Sequence, residues 1–271
     1  MTHLFRLWRR IEPELERRPV LLFLDFDGTL TPIAIHPGAV SIPARLKSVL
    51  SRLALLSSVT PVIVSGRSLA DLGKKIAVRG IIYAGNHGME LRGPGVRLFK
   101  PVGSESRSDM KEICRRLKKS CASLPGILVE DKKYTLSVHY RKLRPRQIIS
   151  ARRIFRQVVT PYLKKKKIKI TSGKKVWEIR PPVTWNKGSV VLWILGQVRR
   201  TDKNFLPVFV GDDKTDEDAF RVVKGAGMGV KVAERPRDRS SAFYFLKNPG
   251  EVLEFLKRLI KLKKKADYDI H

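Results

Sequence analysis

Continuous apolar runs bounded by Gly, Pro or Asp punctuate the chain at Val20 to Leu24, Pro61 to Val64, Gly80 to Ala84, Leu206 to Val210 and Gly229 to Val232. Runs without alternation suit strands covered on both faces, as in a parallel sheet between helical layers. Between them, apolar residues recur at helical steps, as in Leu46, Val49, Leu50, Leu53 and Leu56, and later in Val190, Leu192, Trp193 and Leu195. Strand and helix alternate, which predicts an α/β core built on a doubly wound parallel sheet. The stretch 101–182 reads differently. It holds two helical patterns and extended segments at Ile127 to Glu130, Thr135 to Tyr140, Ile168 to Ile170 and Val176 to Ile179, with more polar alternation than the core runs. In its second helix Ile148, Ala151, Phe155, Val158 and Tyr162 keep one face, while Arg146, Arg152, Arg153 and Arg156 take the others. The pattern predicts an α+β insert at 101–182 within a core of 1–100 and 183–271, with Pro101, Pro181 and Pro182 at the hinges, since proline fixes φ and restricts its predecessor.

At 271 residues, 42% of them hydrophobic, the chain has material for a real core and is no disordered segment. Its charge changes the picture further. Lys and Arg number 56 against 25 Asp and Glu, a formal +31, so substrates or partners are expected to be anionic. Cys114 and Cys121 lie seven apart in one predicted helix, about 10 Å of rise, too far to bridge. No apolar run approaches the ~18 residues of a membrane span, and the first ten residues lack the pattern of a signal peptide. The expectation is a cytoplasmic monomer with no membrane partner.

In so basic a chain, seven carboxylates crowd into two short segments: Asp25 and Asp27 in LLFLDFDGTL, and Asp212, Asp213, Asp216, Glu217 and Asp218 in VFVGDDKTDEDAF. Asp25 and Asp27 close one buried run, with Gly28 allowing a sharp exit. Asp212 follows another, and Asp216 lies where the opening of a helix returns it to the same side. Carboxyl ends of strands are where open α/β sheets bind ligands. An all-oxygen set gathered there needs a cation and suits Mg²⁺. Taken singly, Asp27-Gly28 also fits an ordinary turn, and Thr215 with Asp218 a capping box. Ser65-Gly66-Arg67 follows a third run, and Lys187-Gly188 opens a helix, so a hydroxyl, backbone N–H groups and a fixed cation can hold a phosphate. Ser65 or Asn186 as a simple helix cap is the alternative.

DFDGTL, SGR, a lysine opening a helix, and GDDKTDED occur in the order of the four motifs of the haloacid dehalogenase (HAD) superfamily, which the chain resembles. AGNHGMEL, LVEDKKYTLSVHYR, VWEIRPPVTWNKG and GDDKTDEDAF resemble the trehalose-6-phosphate phosphatase family within it, from Val20 to about Phe245. The resemblance implies a HAD-type Rossmann-like core with an α+β cap, acting on trehalose 6-phosphate through an aspartyl-phosphate. It implies Asp25 as nucleophile, Asp27 as general acid and base, Ser65 and Lys187 on the phosphoryl oxygens, and Mg²⁺ on Asp25, the Asp27 carbonyl and Asp212, with Asp213 and Asp216 as direct or supporting ligands. Gly66, Arg67, Asn86 and His87 would approach substrate from the core. Glu130, Lys132, His139, Arg141 and Glu178 would contact sugar hydroxyls from the cap. Asn86 stands where the family commonly has Ser. Two other readings stay open: a related phosphatase for sucrose phosphate or mannosyl-3-phosphoglycerate, and a nucleic-acid-binding protein on a degenerate fold. Nucleic acid is not the expected partner, although the charge permits non-specific binding.

Overall fold

The computed structural model describes residues 1–34, 38, 40–99, 104–173, 175–198, 204–235 and 239–268. It divides into a core unit, Met1–Phe99 with Trp185–His271, and an inserted unit, Lys100–Thr184. The core opens with β1 (Thr2–His3), α1 (Trp8–Arg17), β2 (Val20–Leu24), α2 (Ala44–Ala54), β3 (Val59–Val64), α3 (Leu69–Ile76), β4 (Ile82–Gly85), β5 (Glu90–Gly93) and β6 (Val96–Phe99). The inserted unit holds α4 (Ser104–Ser120), β7 (Leu128–Asp131), β8 (Leu136–His139), α5 (Pro145–Lys164), β9 (Lys169–Gly173) and β10 (Val176–Arg180). The core resumes with α6 (Lys187–Val198), β11 (Leu206–Gly211), α7 (Glu217–Val223), β12 (Met228–Val232), β13 (Tyr244–Leu246) and α8 (Pro249–Tyr268).

The core sheet has the order β1-β13-β12-β11-β2-β3-β4-β5-β6. It is parallel as far as β4 and antiparallel from β4 to β6. Its central strands are apolar throughout because both faces are covered. Val20, Leu22 and Leu24 of β2 join the cluster formed with α1, α2, α3 and α8, whereas Leu21 and Phe23 join the cluster formed with α6 and α7. The chain winds outward in both directions from the neighbouring strands β2 and β11, whose carboxyl ends therefore frame a crevice. Gly80 belongs to the turn before β4, at φ 80°, so that strand starts at Ile82.

The inserted unit is an antiparallel sheet, β7-β8-β10-β9. Val129, Leu136, Val138, Trp177 and Ile179 turn one face toward α4 and α5. The Trp177 ring lies 4.3 Å from that of Tyr140 and 4.7 Å from that of Phe155, centroid to centroid. Proline at the first turn of α5 costs no helical hydrogen bond, and Gln147 Oε1 accepts from the Arg144 N–H to cap it. Of the three hinge prolines read from the sequence, Pro101 lies outside the described residues. Among the described residues no helix is long and apolar enough to cross a membrane.

Candidate active site

The ladder between β2 and β11 runs one residue beyond β2, where the Asp25 N–H donates to Val210 O at 2.9 Å. The chain then turns at Gly28, φ 92°, where a Cβ would lie 2.3 Å from Asp212 Oδ2. Only glycine lets the loop after β2 lie this close to the end of β11. Gly211 works in the same way, since a Cβ there would meet Asp216 Cγ at 2.4 Å. These approaches bring Asp25, Asp212 and Asp216 together, with a carboxylate oxygen of each inside 4.8 Å of the others. Lys187, at the first turn of α6 and buried, donates from Nζ to Asp25 Oδ1 and Asp216 Oδ1, both at 2.6 Å.

Three carboxylates and one ammonium leave the cluster two charges short of neutrality. Burial pushes the Asp25 carboxyl well above its ordinary range; Lys187 pulls against this, while Asp216 and Asp212 add to it. Burial disfavours the Lys187 ammonium, yet Asp216 and Asp25 more than offset that and raise its pKa. A divalent cation held by oxygen donors answers both the repulsion and the charge deficit, so the donor set fits Mg²⁺.

Asp27 stands apart from this cluster. Arg67 holds it in a two-pronged pair, Nε to Oδ2 at 2.6 Å and Nη2 to Oδ1 at 2.7 Å, while Nη1 reaches Asp71 Oδ2 at 2.6 Å. Burial opposes the Arg67 charge, and the two carboxylates overcome it and raise the pKa. Arg67, read from the sequence as a substrate contact, is thus spent on Asp27 in this structure. Ser65 is buried at the end of β3, with its Oγ accepting the Arg67 N–H at 3.1 Å. A Cβ on Gly66 would meet His87 Cε1 at 2.6 Å, so the imidazole packs on the glycine. Asn86 and His87 occupy left-handed conformations, φ 49° and 57°. Their turn is pinned where Asn86 Nδ2 donates to Glu90 Oε2 at 2.6 Å and Trp185 Nε1 to Gly88 O at 2.7 Å. Asp213 is half exposed, and its carboxylate accepts the Lys214 N–H at 2.7 Å. Its own N–H donates to Asp216 Oδ2 at 2.8 Å. The capping box of this segment is accordingly Asp213 with Asp216, in place of Thr215 with Asp218.

In the inserted unit, Glu130, Ser137, Glu178 and Thr171 form one row across the sheet, on the face opposite Val138 and Trp177. His139 Nε2 lies 2.8 Å from Glu130 Oε2, and Lys132 Nζ lies 3.6 Å from Oε1 of Glu178, whose Oε2 pairs with Arg180. Arg141 follows β8 and is half-buried. Of the charged residues read from the sequence, Glu130, His139 and Glu178 therefore share a face and Lys132 reaches it through Glu178, and Ser137 is a member of the row that alternation alone left unremarked. Asp71 was also missed, although an acid four residues after Arg67 on a helix is the spacing of an ion pair.

A family model described as Trehalose-phosphatase matches residues 23–250. The chain belongs to the trehalose-phosphatase family. It is 34% identical to trehalose-phosphate phosphatase B of Arabidopsis thaliana, the match covering 92% of this chain and 68% of that protein. To probable trehalose-phosphate phosphatase 2 of Oryza sativa subsp. japonica it is 36% identical, over 90% of this chain and 69% of that one. Among solved structures, the C-terminal domain of C. albicans trehalose-6-phosphate phosphatase superposes with a TM-score of 0.80 at 25% identity, over 96% of this chain and 99% of that chain. The parallel core with a converging acidic crevice is thus the HAD-type fold of the trehalose phosphatases.

Proposed function

We propose that the chain hydrolyses trehalose 6-phosphate to trehalose and phosphate through a phosphorylated Asp25. The convergence of Asp25, Asp212 and Asp216 on Lys187 carries this reading. Lys187 fixes Asp25 through Oδ1, which leaves Oδ2 to attack phosphorus as the bond to the sugar oxygen breaks. Asp27 gives its proton to that leaving oxygen and then takes one from the water that cleaves the aspartyl-phosphate. Arg67, backed by Asp71, orients Asp27 and stabilises the carboxylate left after the first proton transfer. Ser65 and Lys187 hold the phosphoryl oxygens in line. Asp25, Asp212 and Asp216, with the Asp27 carbonyl, would hold Mg²⁺, which would supply charge neutralisation to the transferring group. The Asp213 carboxylate is engaged by its own turn, and its backbone N–H supports the Asp216 carboxylate. Glu130, Lys132, His139, Arg141 and Glu178 give the sugar a face of charged and hydrogen-bonding groups, which penalises substrates that lack matching hydroxyls.

Phosphate release from trehalose 6-phosphate, sucrose 6-phosphate, mannosyl-3-phosphoglycerate and glucose 6-phosphate, with and without Mg²⁺, tests the proposal. The expected outcome is Mg²⁺-dependent release that favours trehalose 6-phosphate, lost by at least about 10⁴-fold in Asp25→Asn. Undiminished turnover in that variant overturns the mechanism, and preference for another sugar phosphate overturns the substrate.

A further inference from the structure

The positive charge is unevenly distributed. Residues 100–184 hold 24 Lys and Arg against 6 Asp and Glu, and the 46 residues between Asp131 and Glu178 hold 16 Lys and Arg with no carboxylate. Helix α5 lies within that stretch. Its inner face, Ala151, Phe155, Val158 and Val159, is buried in the inserted unit's core. At helical spacing the opposite face presents Arg146, Ser150, Arg153, Gln157 and Lys164, all exposed, with Arg152 and Arg156 on its flank. Among the described residues none of Arg146, Arg152, Arg153, Arg156 or Lys164 takes part in an ion pair. The nearby Lys167 does, with Glu105 and Asp109. An ordinary solvated helix mixes the signs, as α1 does with Glu12, Glu14 and Glu16 among its arginines. Among the described residues no carboxylate pairs with the cations on the outer face of helix α5.

We propose that this outer face of α5 docks on the phosphodiester backbone of duplex nucleic acid, without regard to base sequence. Charge complementarity names the partner, and side-chain type narrows it. Cations interleaved with a hydroxyl and an amide are the groups that contact phosphates. A helix that lies in a bilayer surface needs an unspent apolar face; that of α5 is consumed in the core, and among the described residues the large aliphatics exposed on the helix are Ile149, at 68%, and Leu163, at 38%, too few to form such a face. From Arg146 to Lys164 the stripe runs about 27 Å, which matches roughly eight phosphates of one strand. No aromatic side chain interrupts it, so stacking on single-stranded bases is not the mode.

The test uses the full-length protein with two labelled duplexes of unrelated sequence, read by fluorescence anisotropy from about 50 to about 300 mM NaCl. Both duplexes should bind alike, with log K falling against log salt at a slope of about −4. The combined variant Arg146→Glu, Arg153→Glu, Lys164→Glu should lose at least about tenfold in affinity and most of that slope. Its trehalose 6-phosphate turnover should match the wild type, and its melting temperature should not fall below it. Arg9→Glu, Arg10→Glu, Lys261→Glu, an equal charge change on the core unit, should leave binding within about twofold. Failure of the wild type to bind at low salt overturns the proposal, as does equal weakening by both variants or an unchanged slope in the α5 variant. Loss of binding to phosphatidylserine vesicles in the α5 variant, with no duplex binding in the wild type, also overturns it and makes a bilayer the occupant. Binding is read without turnover, so a failure here is separable from a failure of the proposed phosphatase reaction.

Discussion

A buried carboxylate that serves as nucleophile destabilises the protein that carries it. Burial raises the Asp25 pKa above the ordinary 3.8, so between that value and the higher folded one the native state binds more protons than the unfolded chain. Stability without a divalent cation must therefore fall as pH rises through that window, by up to about 1.4 kcal/mol per pH unit. Asp25→Asn removes the titration while Lys187 keeps Asp216 as partner. Urea unfolding in EDTA should show a flatter profile for the variant and stability at neutral pH equal to or above wild type; a steeper profile would refute this account of the cluster. Arg67 permits a second measurement at this scale. It is argued to act through Asp27, whose proton matters only when the leaving oxygen is a poor one. Arg67→Ala should lower kcat on trehalose 6-phosphate by roughly 10²-fold, with a much smaller loss on p-nitrophenyl phosphate, whose leaving group needs no proton. Equal losses on both substrates would place Arg67 on the phosphate or in the scaffold.

Among the elements, legibility followed burial. The runs at β2 and β11 stood out because both faces of those strands are covered, which removes polar alternation from the sequence. Asp25, Asp212 and Asp216 were readable because acids are scarce in this chain and here cluster after buried runs, and Lys187 because Lys187-Gly188 opens a helix. The β5–β6 hairpin was not readable from periodicity. It is four residues per strand, part exposed, with Gly93 and Gly95 at its turn. The strands β1 and β13, of two and three residues at one margin of the sheet, are too short for any period to register. The diversion of Arg67 onto Asp27 was hidden for another reason. Spacing shows that Ser65, Gly66 and Arg67 follow a strand, but which side chains an arginine reaches depends on the packing of β3 against β2, set by residues forty positions apart. Gly28 illustrates the same limit, since Asp-Gly signals a turn whereas the need for glycine comes from Asp212 across the crevice.

For the molecule as a whole, the charge ledger decides what salt should do. With 56 cationic side chains and 25 carboxylates, one-to-one pairing leaves 31 Lys or Arg without a carboxylate. Ion-pair networks that stabilise proteins at high temperature require both signs in comparable number, so that explanation covers only a minority of the lysines and arginines here. The remainder repel one another, and the folded chain brings them closer than the unfolded one does. Screening relieves this, because the Debye length shrinks from about 10 Å at 0.1 M to about 3 Å at 1 M. Pairs in the crevice, such as Lys187 with Asp25 and Asp216, are buried and respond little. Melting followed by calorimetry in NaCl should therefore show Tm rising by several degrees between about 0.05 and 0.5 M, since about 1 kcal/mol of relieved repulsion moves a domain of this size by roughly 2–4 °C. A Tm that falls with salt would mean that the scattered surface pairs, such as Arg18 with Glu14, outweigh the excess charge.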